Sequence, residues 1–191
     1  MLTRLEKNYP YHVLSGGVLF LVLSGIYAGV KQFHFTGILN IQFPEVSIFW
    51  LIPVFENLFI AVLLSGMIYL FSIVYRKTFF GFLKVLTVSI WTRIPFLLIP
   101  VLFDFLGLDK VTLEQITLNY PLKSDRLYEA ENLMISALLL SVPFFITSLL
   151  LLYRAFWICC KAKGVIALFL FLLFYILSDL LIQFGGKYLL R

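Results

Sequence analysis

Charge is scarce in this 191-residue chain: Asp, Glu, Lys and Arg make up 13% of it, against about 25% in an ordinary soluble domain. Histidine and cysteine are scarcer still, with two of each. The thin charge excludes a soluble globular protein, because AVILMFWYC residues reach 62% and the mean hydropathy is +1.01. The 21 Phe, 10 Tyr and 3 Trp exceed what a core of this size hides, so many apolar side chains must face lipid. Cys159 and Cys160 are neighbours, and the strain of a bridge between adjacent residues excludes a disulfide framework. They read as reduced thiols at a membrane edge, or as palmitate acceptors in a eukaryotic host.

Catalytic signatures are missing as well. The sequence holds no HExxH, CxxC, GxSxG or phosphate-binding loop. His12 and His34 lie far apart at membrane edges and read as interfacial residues, not as metal ligands. The acidic residues of 106–131 lack the spacing of a calcium loop. Ser65, Ser89 and Ser141 have no adjacent base and read as helix-packing hydroxyls. No enzyme, metal or cofactor is therefore expected. The net charge of +5 comes from basic residues scattered in ones and twos, which fits the flanks of membrane spans and not a nucleic-acid surface.

What the chain does have is long apolar runs. Five are long enough to cross a ~30 Å hydrocarbon core, at 13–30, 49–75, 80–103, 132–156 and 164–185. Each must be a helix, because in lipid the backbone N–H and C=O groups need partners within their own segment. A β-barrel would need short alternating segments, and runs such as VIALFLFLLFYIL do not alternate. The expected fold is an all-α membrane protein, a bundle of five transmembrane helices forming a single domain over 1–191. The run at 13–30 is retained as a span, since it exceeds the roughly 7–15 apolar residues of a signal peptide. Between spans, 31–48 interleaves apolar and polar residues and is expected to lie along the membrane interface. The stretch 106–131 reads as a solvated loop turning at Asn119-Tyr120-Pro121.

Basic residues set the expected orientation. With the N-terminus inside, the cytoplasmic side carries Arg4, Lys7, Arg76, Lys77, Lys84, Arg154, Lys161 and Lys163; the other carries Lys31, Lys110, Lys123, Arg126, Lys187 and Arg191. This excess favours N-inside, and five spans then leave the C-terminus outside.

Three charges fall within the spans, where each costs about 2.5–3.5 kcal/mol unless paired or wetted. Arg93 lies about 15 Å from the outer end of its helix, Glu56 about 10 Å and Asp179 about 9 Å from theirs. They share one layer, and Arg93 paired with one or both acids is the expected arrangement. Such a layer is either a structural ion pair or a proton- or ion-coupled site. Small residues mark close helix contacts, first the Gly25 and Gly29 pair, then Ala61 with Ser65 and Ala137 with Ser141. Pro53, Pro95, Pro100 and Pro143 are expected to kink their helices.

The stretch FFGFLKVLTVSIWTRIPFLLIP resembles the corresponding segment of the Yip family, multi-spanning proteins named for interacting with Rab-type GTPases. That family places Gly-Tyr-Ser-x-x-Pro within a helix. Here Trp91 stands for the Tyr and Thr92 for the Ser, Pro95 matches the Pro, and Ile90 replaces the Gly. The five-span layout, a cytoplasmic N-terminus and the connection before the last helix are also similar. Eukaryotic members carry a long N-terminal region with Asp-Leu-Tyr-Gly-Pro, whereas residues 1–12 precede the first span here without that motif. The resemblance implies a bacterial-type member in the cytoplasmic (inner) membrane. By the same resemblance it scaffolds or organises partners in the bilayer: membrane lipids, other membrane proteins or a second copy of itself, with no nucleic acid. The alternative is a small transporter or channel subunit that uses Glu56, Arg93 and Asp179.

Overall fold

The computed structural model describes residues 11–42, 49–76, 81–106, 124–161 and 164–189. Its elements, in chain order, begin with α1 (Tyr11–Val30), the strands β1 (His34–Gly37) and β2 (Asn40–Gln42), and α2 (Ile52–Arg76). They continue with α3 (Phe82–Leu97), α4 (Ile99–Phe105), α5 (Ser124–Cys160) and α6 (Gly164–Leu189). Among the described residues, five helical segments are long and apolar enough to cross a membrane: His12–Val30, Ile52–Tyr75, Phe82–Phe105, Ile135–Cys160 and Gly164–Gly185. The chain is thus an all-α, five-helix membrane protein, with its expected spans in place.

The spans pack around α2, which touches α1, α3, α5 and α6. Its contact with α1 is the closest, because a Cβ built on Gly25 would lie 2.6 Å from Val54 Cα and one on Gly29 would collide with the Trp50 carbonyl. Without hydrophobic drive between helices in lipid, such backbone proximity is what holds spans together. At the opposite end, Phe71 of α2, Phe156 of α5 and Phe171 and Phe174 of α6 form a ring cluster with centroids 5.0–6.0 Å apart. The outward faces remain apolar, with Leu139 66% and Phe169 66% exposed, as lipid-facing surfaces must be.

Four expectations change. First, the run at 80–103 is not one helix. Pro95 lacks the N–H that a continuous helix needs at that position. Three residues on, Leu98 N–H reaches back to Pro95 O at 3.2 Å in a tightened last turn, and α4 restarts at Ile99 with Pro100 in its first turn. Beside the break a polar bond runs between helices, where Phe96 N–H donates to Ser148 Oγ of α5 at 2.9 Å. Second, Pro53 does not kink α2: it sits in the first turn, where the missing N–H has no helical partner to lose. Third, the helix that carries the fourth span begins earlier than 132: α5 starts at Ser124 and takes up part of the stretch read as a solvated loop, while its membrane-crossing segment is Ile135–Cys160. The turn expected at Asn119-Tyr120-Pro121 lies outside the described residues.

The fourth change concerns 31–48, whose described part folds into the bundle instead of lying along its surface. Gln32 adopts φ 59°, and Phe33 N–H reaches Ala28 O at 2.8 Å while Gln32 N–H reaches Gly29 O at 3.3 Å. This pair of bonds is a Schellman ending, which satisfies the last carbonyls of α1 and reverses the chain. The reversal aims Phe33, Phe35 and Ile38 inward, each 2% exposed or less. β1 and β2 pair antiparallel as a hairpin (His34 with Gln42, Phe35 with Ile41, Gly37 with Asn40), with a register shift at Thr36.

The α1–α2 contact predicts a graded response to added methyl groups. Gly29→Val should lower unfolding stability in micelles by about 1–3 kcal/mol. Gly16→Ala, where a Cβ meets nothing within 4 Å, should leave it unchanged or raise it by up to ~1 kcal/mol. Equal losses at both positions would contradict this packing.

Candidate functional site: a hairpin held by intramembrane carboxylates

Non-helical backbone at membrane depth survives only where protein satisfies its polar groups. Pairing the two strands meets part of that need, and each intramembrane acid meets another part. Glu56, one turn into α2 and 6% exposed, accepts from Phe35 N–H through Oε2 at 2.9 Å, while Oε1 meets His34 Nδ1 at 2.5 Å. Asp179 of α6 accepts from Ile38 N–H through Oδ1 at 3.0 Å and from Gln183 Nε2 through Oδ2 at 2.8 Å. Gly37 permits that approach, because a Cβ there would stand 2.6 Å from Asp179 Oδ1. One hairpin therefore ties α2 to α6 through two carboxylates.

A third carboxylate works at the same end. Asp104, near the end of α4, receives Lys31 Nζ on Oδ1 and Tyr27 O–H on Oδ2, both at 2.5 Å. This partly exposed cluster pins the end of α1 to α4.

Arg93 departs from expectation. Its carboxylate partners of the same layer are engaged elsewhere, and the guanidinium is 1% exposed with one hydrogen bond, Nη1 to Asn57 O at 3.3 Å. Among the described residues its Nε and Nη2 have no partner, and neither do Nδ2 and Oδ1 of Asn57, itself fully buried. The Phe96 ring lies 6.0 Å from Arg93 Cζ on one hand and 6.2 Å from the Phe35 ring of the hairpin on the other. Thr36 Oγ1 of the hairpin and Ser178 Oγ, next to Asp179, are also buried without partners. The expected Arg93 ion pair is thus replaced by carboxylate–backbone bonds, in which Glu56 and Asp179 satisfy buried N–H groups of the hairpin.

The family-motif positions serve helix contacts. Trp91 Nε1 donates to Val13 O of α1 at 3.2 Å, Thr92 Oγ1 donates to Ser89 O at 2.7 Å within α3, and Pro95 marks the break. Ser65, Ser89 and Ser141 donate to carbonyls of their own helices, the usual resolution for a buried hydroxyl in a span. Among the described residues, no group of three or more His, Cys, Asp or Glu is placed to hold a metal ion. Sequence reasoning missed His34 as the partner of Glu56, and Asn57 beside it. The alternation of Phe33-His34-Phe35 carried a strand signal that the interfacial reading passed over. No family model, curated protein or solved structure matches the chain.

The two carboxylate anchors predict separable effects on backbone protection. Glu56→Leu strands Phe35 N–H and should cost about 1–3 kcal/mol, with faster amide exchange at Phe35. Asp179→Leu should do the same at Ile38, and Glu56→Gln, which keeps one acceptor, should be milder. Unchanged protection at both amides in the Leu variants would refute the anchoring.

Proposed function

We propose that this chain is a non-enzymatic, multi-spanning membrane protein of Yip type that organises partners within the bilayer. One observation carries the reading: Glu56 and Asp179 have both oxygens engaged and each holds a hairpin N–H. A spare carboxylate is the usual ingredient of a proton carrier, and these two acids brace the fold instead. Braced spans with apolar outer faces such as Leu138, Leu139 and Phe169 are suited to lateral contact with lipids and with other membrane helices. The resemblance of the Trp91, Thr92 and Pro95 stretch to the Yip family supports the same class. A bacterial inner membrane with the N-terminus inside and the C-terminus outside completes the proposal. A small transporter or channel subunit is the second reading, and the unpartnered polar atoms of Arg93 and Asn57 favour it.

In-cell crosslinking with mass spectrometry should recover membrane partners, and liposomes holding the purified chain should pass no more solute than empty ones. Flux without recovered partners would reverse the order of the two readings. A reporter active only in the cytoplasm, fused after Arg191, should be silent; strong activity would overturn the orientation.

A further inference from the structure

We infer that Arg93 and Asn57, both buried where α3 meets α2, form a binding site for an oxyanion, a carboxylate or phosphate group. The inference starts from the geometry of the guanidinium. Nη1 is turned to the Asn57 carbonyl, which leaves Nε and Nη2 together. That edge carries two parallel N–H donors and matches two oxygens of a carboxylate or phosphate. The residue whose backbone carbonyl Nη1 reaches, Asn57, is itself fully buried with both side-chain polar atoms unpartnered, and its amide is a neutral donor available to the same ligand.

The acids among the described side chains do not fill this role. Among the described side chains the carboxylates are Glu56, Asp104 and Asp179, and each has both oxygens committed: Glu56 to His34 and Phe35, Asp104 to Lys31 and Tyr27, Asp179 to Ile38 and Gln183. A guanidinium stays charged even when buried, and an uncompensated charge in a span is among the most expensive features a membrane protein can carry. An oxyanion supplies both the opposite charge and the acceptors. Arg93 is 1% exposed and has the Phe96 ring 6.0 Å from its Cζ, so bulk water competes weakly for the same donors. The site stands apart from the scaffold reading, since partner recovery and anion binding are measured separately.

The test uses the full chain in two settings: delipidated in neutral detergent, and in nanodiscs of phosphatidylcholine with or without phosphatidylglycerol. Inorganic phosphate and acetate are titrated at constant ionic strength against chloride. The unfolding midpoint of the wild type should rise saturably with an oxyanion, and the rise should disappear in Arg93→Met. Arg93→Lys, which keeps the charge and loses the two-donor edge, should weaken binding at least tenfold. A response to phosphate or acetate identifies a free oxyanion. A rise only with phosphatidylglycerol, which also co-purifies, identifies a lipid phosphate held at the same edge. Should Arg93→Met fail to fold, arginine Nε–H resonances of the labelled wild type, with Arg93 assigned through Arg93→Lys, give the answer directly. The Arg93 resonance should shift on titration. An Arg93 resonance that ignores all three probes, or a midpoint that responds equally in wild type and Arg93→Met, would overturn the proposal.

Discussion

The need to satisfy backbone N–H groups at membrane depth governs the hairpin end of this bundle. A strand pair leaves outward-facing amides that water would normally take, and here Glu56 and Asp179 take two of them. Each carboxylate also gains from the arrangement, because an ionised group buried in a span needs hydrogen bonds to offset its lost hydration. The cost of inserting non-helical backbone and the cost of burying acids thus offset one another. Gly37 is the steric condition for this, since any larger residue would push the strand off Asp179.

This exchange shapes the rest of the bundle. α2, at the centre, is held to α1 by the glycine contact at Gly25 and Gly29, to α6 by the hairpin at one end, and to α5 and α6 by the phenylalanine cluster at the other. α3 gives up continuity at Pro95, and Ser148 of α5 takes the Phe96 N–H beside the break. Arg93 belongs to that same helix and reaches the Asn57 carbonyl of α2. With the acids of its own layer bonded to backbone, the guanidinium is the one strongly charged group of the layer left with open donors among the described residues.

How much of this was legible follows from the range of each interaction. The spans were legible because lipid imposes an apolar run of fixed length on each helix, and Gly25 with Gly29 because close packing leaves a local spacing of small residues. The intramembrane charges announced themselves by their cost. Their partners did not, because Glu56 meets residues 21 and 22 positions away and Asp179 meets Ile38 across 141. Charge alone made Arg93 the obvious counterion, whereas the decisive acceptors' customers were backbone amides, which no side-chain pattern records. His34 looked solitary for the same reason. Pro53 was misread because its effect depends on whether it falls inside a helix or in its first turn.

The central claim, that the hairpin is part of the membrane-embedded fold and is held by carboxylates, is tested most directly by solid-state NMR on the protein in bilayers. A dipolar contact between the Ile38 amide nitrogen and the Asp179 carboxyl carbon should be strong, as the 3.0 Å N–O separation requires. The Ile38 amide should also show no polarisation transfer from bulk water. Absence of the carboxyl contact, with an Ile38 amide that exchanges with water, would contradict the account.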